Sequence, residues 1–163
     1  MLFCFLITVI CIVLDQLTKY LAVRFLSGIL TYPLIENVIH LTYVENRGAA
    51  FGMLSEHRWV FMLLSVVGIA ALCVWLAIEK PKSMWLKCAA SLIIGGGIGN
   101  MIDRVRLEYV IDFIDCRFID FYVFNVADSF VCIGCAMFIV YVIASEIKDH
   151  KAKKERVATE ENK

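Results

Sequence analysis

The chain alternates long apolar runs with short polar ones, and four of the runs can cross a bilayer. The clearest is Trp59 to Ile78, 20 residues without a charge. At about 1.5 Å per residue such a helix covers the roughly 30 Å hydrocarbon core. The first run, "MLFCFLITVICIVL", is apolar only through Leu14, so its helix must continue past Asp15 and Lys19 to about Phe25. The third, Met84 to Ile102, carries Lys87 at one end and "GGGIGN" in its second half; the fourth, Phe121 to Ile147, holds Asp128 near its start and Glu146 near its end. The pattern predicts an all-α integral membrane protein of four transmembrane helices, over about 2–25, 59–78, 84–102 and 121–147. It leaves outer segments at 26–58 and 103–120 and a charged tail at 148–163. Residues 1–147 form one domain.

Composition agrees. The hydrophobic fraction is 61%, against roughly 45–50% in soluble domains. The N-terminal run lacks a basic flank, and "DQLTKY" stands where small residues would mark a cleavage site, so it reads as a retained helix and not a signal peptide. Sidedness follows from the cations: six of the 16 Lys and Arg residues lie in the tail, and Lys80, Lys82 and Lys87 lie between spans two and three. By the positive-inside rule both termini are cytoplasmic, and the tail composition predicts disorder. The other seven cations fall in the opposite half. There "NVIHLTYVENRGAAFG" has strand-like runs ended by a turn signal, which predicts a small extracytoplasmic β-containing cap. Trp59, Trp75 and Trp85 suit interfacial anchors. The net charge of zero and the absence of a basic–aromatic stripe give no sign of nucleic-acid binding.

The remaining polar residues fall in helical pairs. Asp15 and Lys19, and Asn100 and Arg104, are four apart; Asn125 and Asp128 are three apart, so each pair shares a helix face. Asn46, Arg47 and Asp112 can reach the same level from the outer segments. Charges near the bilayer centre cost roughly 2.5–3.5 kcal/mol each, so such a set must face inward. It forms either a structural network or a functional site.

No H-E-x-x-H is present and His40, His57 and His150 are scattered, so no metal site is expected, and no cofactor motif is found. "GGGIGN" does not fit the dinucleotide template and suits close helix packing instead. Six of the seven cysteines lie in or beside apolar runs, as small hydrophobes would; Cys116 beside the cap reads as a free thiol. A Ser–Lys dyad would bring Lys19 to Ser27, Ser55 or Ser129, which no spacing favours. A carboxylate pair remains, one acid keeping a proton while the other acts as base. Asp128 is one member. Asp112, Asp115 and Asp120 compete for the other place; the apolar neighbours of Asp112 favour it weakly, and the other two read as solvated loop residues.

Five motifs in order, "DQLTK" (15–19), "VENRGAAFG" (44–52), "GGGIGNMIDR" (95–104), "VIDF" (110–113) and "FNVADS" (124–129), resemble the lipoprotein signal peptidase (signal peptidase II) family along almost the whole chain. The resemblance implies a bacterial inner-membrane aspartyl endopeptidase that cuts diacylglyceryl-modified prolipoproteins before the lipidated cysteine. It implies Asp112 and Asp128 as the catalytic pair, and Asn46, Asn100, Arg104 and Asn125 as site-lining residues. Asp15 and Lys19 would be supporting residues, with Arg47 nearby. Partners implied are the lipid-modified prolipoprotein and membrane lipids. The sequence leaves two other readings, a proton or ion conductor built on the same carboxylates, and a purely structural network.

Overall fold

A computed structural model describes residues 1–48, 58–119 and 121–161. Helix α1 (Leu2–Leu26) leads into a hairpin of β1 (Thr31–Ile35) and β2 (Ile39–Asn46). Helices α2 (Arg58–Glu79) and α3 (Met84–Arg106) follow, then β3 (Val110–Cys116), a 3-10 turn at Arg117–Ile119, and α4 (Val126–Glu161). Among the described residues four helices are long and apolar enough to span a membrane, and the strands form one antiparallel sheet in the order β1-β2-β3.

The bundle is amphipathic in the inverse sense of a soluble protein. On α1 the buried residues are Cys4, Cys11, Asp15, Lys19, Ala22 and Leu26, a stripe at three-, four- and seven-residue steps that puts Asp15 and Lys19 inside, while Arg24 in the last turn stays exposed. Phe5, Leu6, Ile10 and Val13 are exposed on the other faces, where acyl chains would cover them. Half of α3's apolar window is buried, against 22% for α1 and 6% for α2 and for α4, so α3 is the axis on which the others pack.

Glycines permit that packing. A Cβ on Gly99 would lie 2.5 Å from Asp15 Oδ2, and one on Gly96 would collide with the Ala127 carbonyl oxygen and lie 2.9 Å from Val131 Cγ2. The first glycine lets α1 approach α3, and the second does the same for α4, as small residues do at membrane helix interfaces.

At one end of the bundle the sheet seats on α1. Ile111 and Phe113 of β3 pack on Ala22 and Leu26, with Leu41 and Tyr43 of β2 beside them. Because side chains alternate along a strand, Asp112 points the other way, toward the helix ends. The backbone N–H groups of Phe113 and Ile114 both donate to the Phe124 carbonyl. That bulge ties the chain before α4 to β3 in extended form.

Several expectations change. Helix α4 begins at Val126 and not at Phe121, because Phe124 bridges to Ile114 and Asn125 caps the helix. Helix α3 runs to Arg106, so Asp103 belongs to the helix and not to the following segment. The tail is helical through Glu161, consistent with its Ala, Lys and Glu content and its lack of Gly and Pro. The Trp75 ring meets Phe138 of α4 edge-on. Trp85 donates to the Met137 carbonyl at 2.7 Å.

Two glycine substitutions should part company in thermal unfolding of the detergent-solubilised protein. Gly96→Ala should lower stability by about 1–3 kcal/mol, the usual penalty of overpacking. A Cβ at Gly68 meets no atom within 4 Å, so Gly68→Ala should hold or gain up to about 1 kcal/mol from helix propensity.

Candidate active site

Lys19 is the hub of the polar cluster. Its ammonium makes ion pairs of 2.9 Å with Asp15 Oδ2 and with Asp103 Oδ2, and donates to Asn100 Oδ1 at 2.9 Å. An ammonium has three N–H donors, so all are used. Asp15 Oδ1 accepts the backbone N–H of Ala127 at 3.0 Å, placing a carboxylate at the positive end of α4. Asp103 Oδ2 accepts the Ile111 N–H at 3.2 Å, which fixes the start of β3. The Gln16 amide donates to Asp103 Oδ1 at 2.9 Å and lies 3.2 Å from Asp15 Oδ2. Asp15, Lys19 and Asp103 are all buried. One charged cluster therefore sets α1, α3, α4 and β3 relative to one another.

From this cluster asparagines lead to two carboxylates. Asn125 and Asp128 form a reciprocal cap on α4: Asn125 Oδ1 accepts the Asp128 N–H at 2.9 Å, and Asp128 Oδ2 accepts the Asn125 N–H at 3.2 Å. This is the capping-box arrangement with Asn at the N-cap and Asp three residues on. The Asn125 Nδ2 group donates to Asp112 Oδ1 at 2.6 Å and to Asn100 Oδ1 at 3.1 Å. Asn100 Nδ2 donates to Asp128 Oδ1 at 2.7 Å, and Asn46 Nδ2 donates to Asp112 Oδ2 at 2.8 Å. Asp112 and Asp128 are thus joined through a pair of amides.

Both carboxylates line a cavity of about 1320 Å³ between α2, α3, α4 and the sheet, as do Asn46, Asn100 and Arg104. Burial pushes the Asp112 carboxyl up to about 6 against the lowering pull of the Asn46 amide, and the charge of Asp128 adds to the rise. Two carboxyls oriented by amides at a cavity wall can divide the roles of acid and base.

The structure brings together Asp15, Lys19, Asn46, Asn100, Arg104, Asp112, Asn125 and Asp128. Arg47 stays at the rim, its side chain 71% exposed and 3.6 Å from Glu45, with its guanidinium over the Tyr109 ring. Two members of the network were missed. Asp103 sits three residues after Asn100 on the same helix face, a spacing that would have revealed it; Gln16 beside Asp15 gives no such signal. Asp115 is not a solvated loop residue: it is buried, accepting from Thr42 Oγ1 at 2.7 Å and Arg117 Nε at 3.0 Å. Asp120, Ser55, His57 and the second half of "VENRGAAFG" lie outside the described residues. Ser129 Oγ donates to the Asn125 carbonyl, while Lys19 has spent its donors elsewhere. Cys4 and Cys11 are buried, but Cys73, Cys132 and Cys135 are exposed on membrane-length helices.

Four membrane-length helices with a polar site at one end define a multi-pass membrane protein, and the comparisons specify which. The family model described as signal peptidase (SPase) II matches residues 7–144. The chain is 50% identical over 121 residues to the lipoprotein signal peptidase of Caldanaerobacter subterraneus subsp. tengcongensis, covering 74% of this chain and 82% of that protein. It is 43% identical over 143 residues to the lipoprotein signal peptidase of Clostridioides difficile, covering 88% and 96%. A solved structure titled as a bacterial membrane enzyme at 2.3 Å resolution superposes with a TM-score of 0.81 at 32% identity, over 88% of each chain. The chain belongs to the signal peptidase II family, and is a protease.

Removing the central cation should be severe. Lys19→Met strands two buried carboxylates, a change worth about 3–5 kcal/mol. Adding Asp15→Asn removes one of them and should recover part of the loss. Thermal unfolding of the single and double variants gives the coupling; additive losses would contradict the shared-cation arrangement.

Proposed function

We propose that this member of the signal peptidase II family removes the signal peptide from diacylglyceryl-modified bacterial prolipoproteins. It does so by aspartic chemistry, on the N-terminal side of the lipidated cysteine. One observation carries this: the cavity is lined at one end by Asp112, Asp128, Asn100 and Arg104, and along α2 and α4 by Gly68, Ile69, Leu72, Val131 and Ile133. A substrate with a peptide at the membrane surface and acyl chains in the bilayer matches that division. The names borne by the relatives support the same substrate.

In this mechanism Asp112 and Asp128 hold one proton between them. The ionised partner takes a proton from water, the oxygen attacks the scissile carbonyl, and the protonated partner donates to the departing amine nitrogen. The carbonyl oxygen gains negative charge in the tetrahedral intermediate, where Arg104 and the asparagine amides supply donors. Lys19 and Asp15 act through Asn100 and the α4 cap as positioning residues, and Arg47 at the rim meets the peptide outside the dyad. The site faces outward from the inner membrane with both termini in the cytoplasm, on the positive-inside rule. Residues 1–147 form the peptidase domain. The conductor reading is set aside, since the family is a peptidase family and the far lining of the cavity is apolar.

Asp112→Asn and Asp128→Asn should each lower cleavage of a diacylglyceryl-modified prolipoprotein by at least about a hundredfold with thermal stability retained. Activity persisting in either variant removes that residue from the pair.

The pH dependence has a definite sign. Asp112 carries a raised pKa of about 6, so kcat/KM should fall on the alkaline side as the pair loses its last proton. Asn46 donates to the charged carboxylate and holds that pKa down. Asn46→Ala should therefore shift the alkaline limb to higher pH, and a shift the other way would contradict the assignment.

A further inference from the structure

The cavity lining ends short of an aromatic pair. Descending α2, the residues that face it are Ser65, Gly68, Ile69 and Leu72, and one further turn on the same face stands Trp75. Its ring meets Phe138 of α4 edge-on, with centroids 5.8 Å apart and planes at 67°. Above that pair α2 and α4 are held apart by the cavity, and both also pack on α3. The aromatic contact therefore joins two helices that otherwise stand as separate walls, at the end away from the carboxylates.

Its depth is informative. Phe138 lies ten residues beyond Asp128 along α4, about 15 Å at 1.5 Å per residue. Half of the roughly 30 Å hydrocarbon core is the same length, which is the thickness of one leaflet. The lining reaches Leu72 on α2 and Ile133 on α4, so the aromatic pair stands about one to two turns beyond the last lining residues. Between the two levels the lining includes Gly68, where a Cβ would meet no atom within 4 Å. The wall there is open, so added bulk would shorten the cavity.

We infer that the Trp75–Phe138 pair is the floor of the acyl-chain groove and sets which substrate chain lengths are cleaved efficiently. The inference rests on the lipid-modified substrate proposed above. Chains of ordinary membrane length fill the groove to the pair; longer ones must bend back or part the two rings, and shorter ones leave apolar wall uncovered. In apolar pockets, mismatches of this kind change kcat/KM about tenfold or more.

The test uses full-length protein in detergent micelles and lipopeptide substrates carrying two decanoyl, two palmitoyl or two docosanoyl chains on the same glyceryl-cysteine peptide. Wild type should favour the palmitoyl substrate over the docosanoyl one by about tenfold in kcat/KM. Phe138→Ala should raise the docosanoyl substrate toward the palmitoyl value. Gly68→Leu, which fills the wall above the floor, should move the preference toward decanoyl. Trp75→Phe keeps an aromatic partner and should keep the wild-type profile. A merely structural contact would lower all three rates together without changing their ratios, and that result overturns the proposal. Equal cleavage of all three by wild type overturns it as well, while leaving the peptidase reading standing. Failure to cleave any of them brings down both.

Discussion

A single buried ammonium organises this molecule. In a bilayer a charge has no water to fall back on, so Lys19 must find acceptors within the bundle. It finds three, on its own helix and on α3. Desolvating three charged groups costs several kcal/mol per ion. The arrangement is tolerable because each carboxylate is also hydrogen-bonded, Asp15 to the first turn of α4 and Asp103 to the start of β3. The contacts that satisfy the charge also decide where the two carboxylate-bearing elements stand.

The asparagines then carry that placement to the cavity. Asn100 accepts from Lys19 and donates to Asp128; Asn125 caps α4 through its oxygen and reaches Asp112 through its nitrogen. An amide suits this position because it both donates and accepts, so it can join a cationic cluster to an anionic pair without adding charge. The glycines of α3 are the steric counterpart: without Gly99, Asp15 could not stand where Lys19 and Ala127 need it. Stability and chemistry are drawn from one hydrogen-bonded array.

Much of this was legible before any coordinates. The four spans follow from hydropathy, and the pairs Asp15/Lys19, Asn100/Arg104 and Asn125/Asp128 follow from helical spacing. What escaped is equally physical. A charge after "GNMI" resembles a span boundary, yet burial of Asp103 against Lys19 lets α3 continue. Beside Cys116 and Arg117, Asp115 has the local composition of an exposed loop, and only the pairing of β3 with β2 brings Thr42 and Arg117 onto its carboxylate. The charge of the tail predicts disorder, although the same residues favour a helix. The choice of Asp112 over Asp115 came from resemblance, since spacing left both open.

The central claim is that burial and a neighbouring carboxylate hold Asp112 ready to keep a proton near neutral pH. Infrared difference spectroscopy of the carboxylic C=O stretch, titrated in wild type and in Asp128→Asn, tests it directly. A band lost in Asp112→Asn should titrate in wild type at about 6. In Asp128→Asn it should move lower, because the charge that helps retain the proton is gone. A band that titrates in the ordinary carboxylate range, or that ignores Asp128→Asn, would contradict the account.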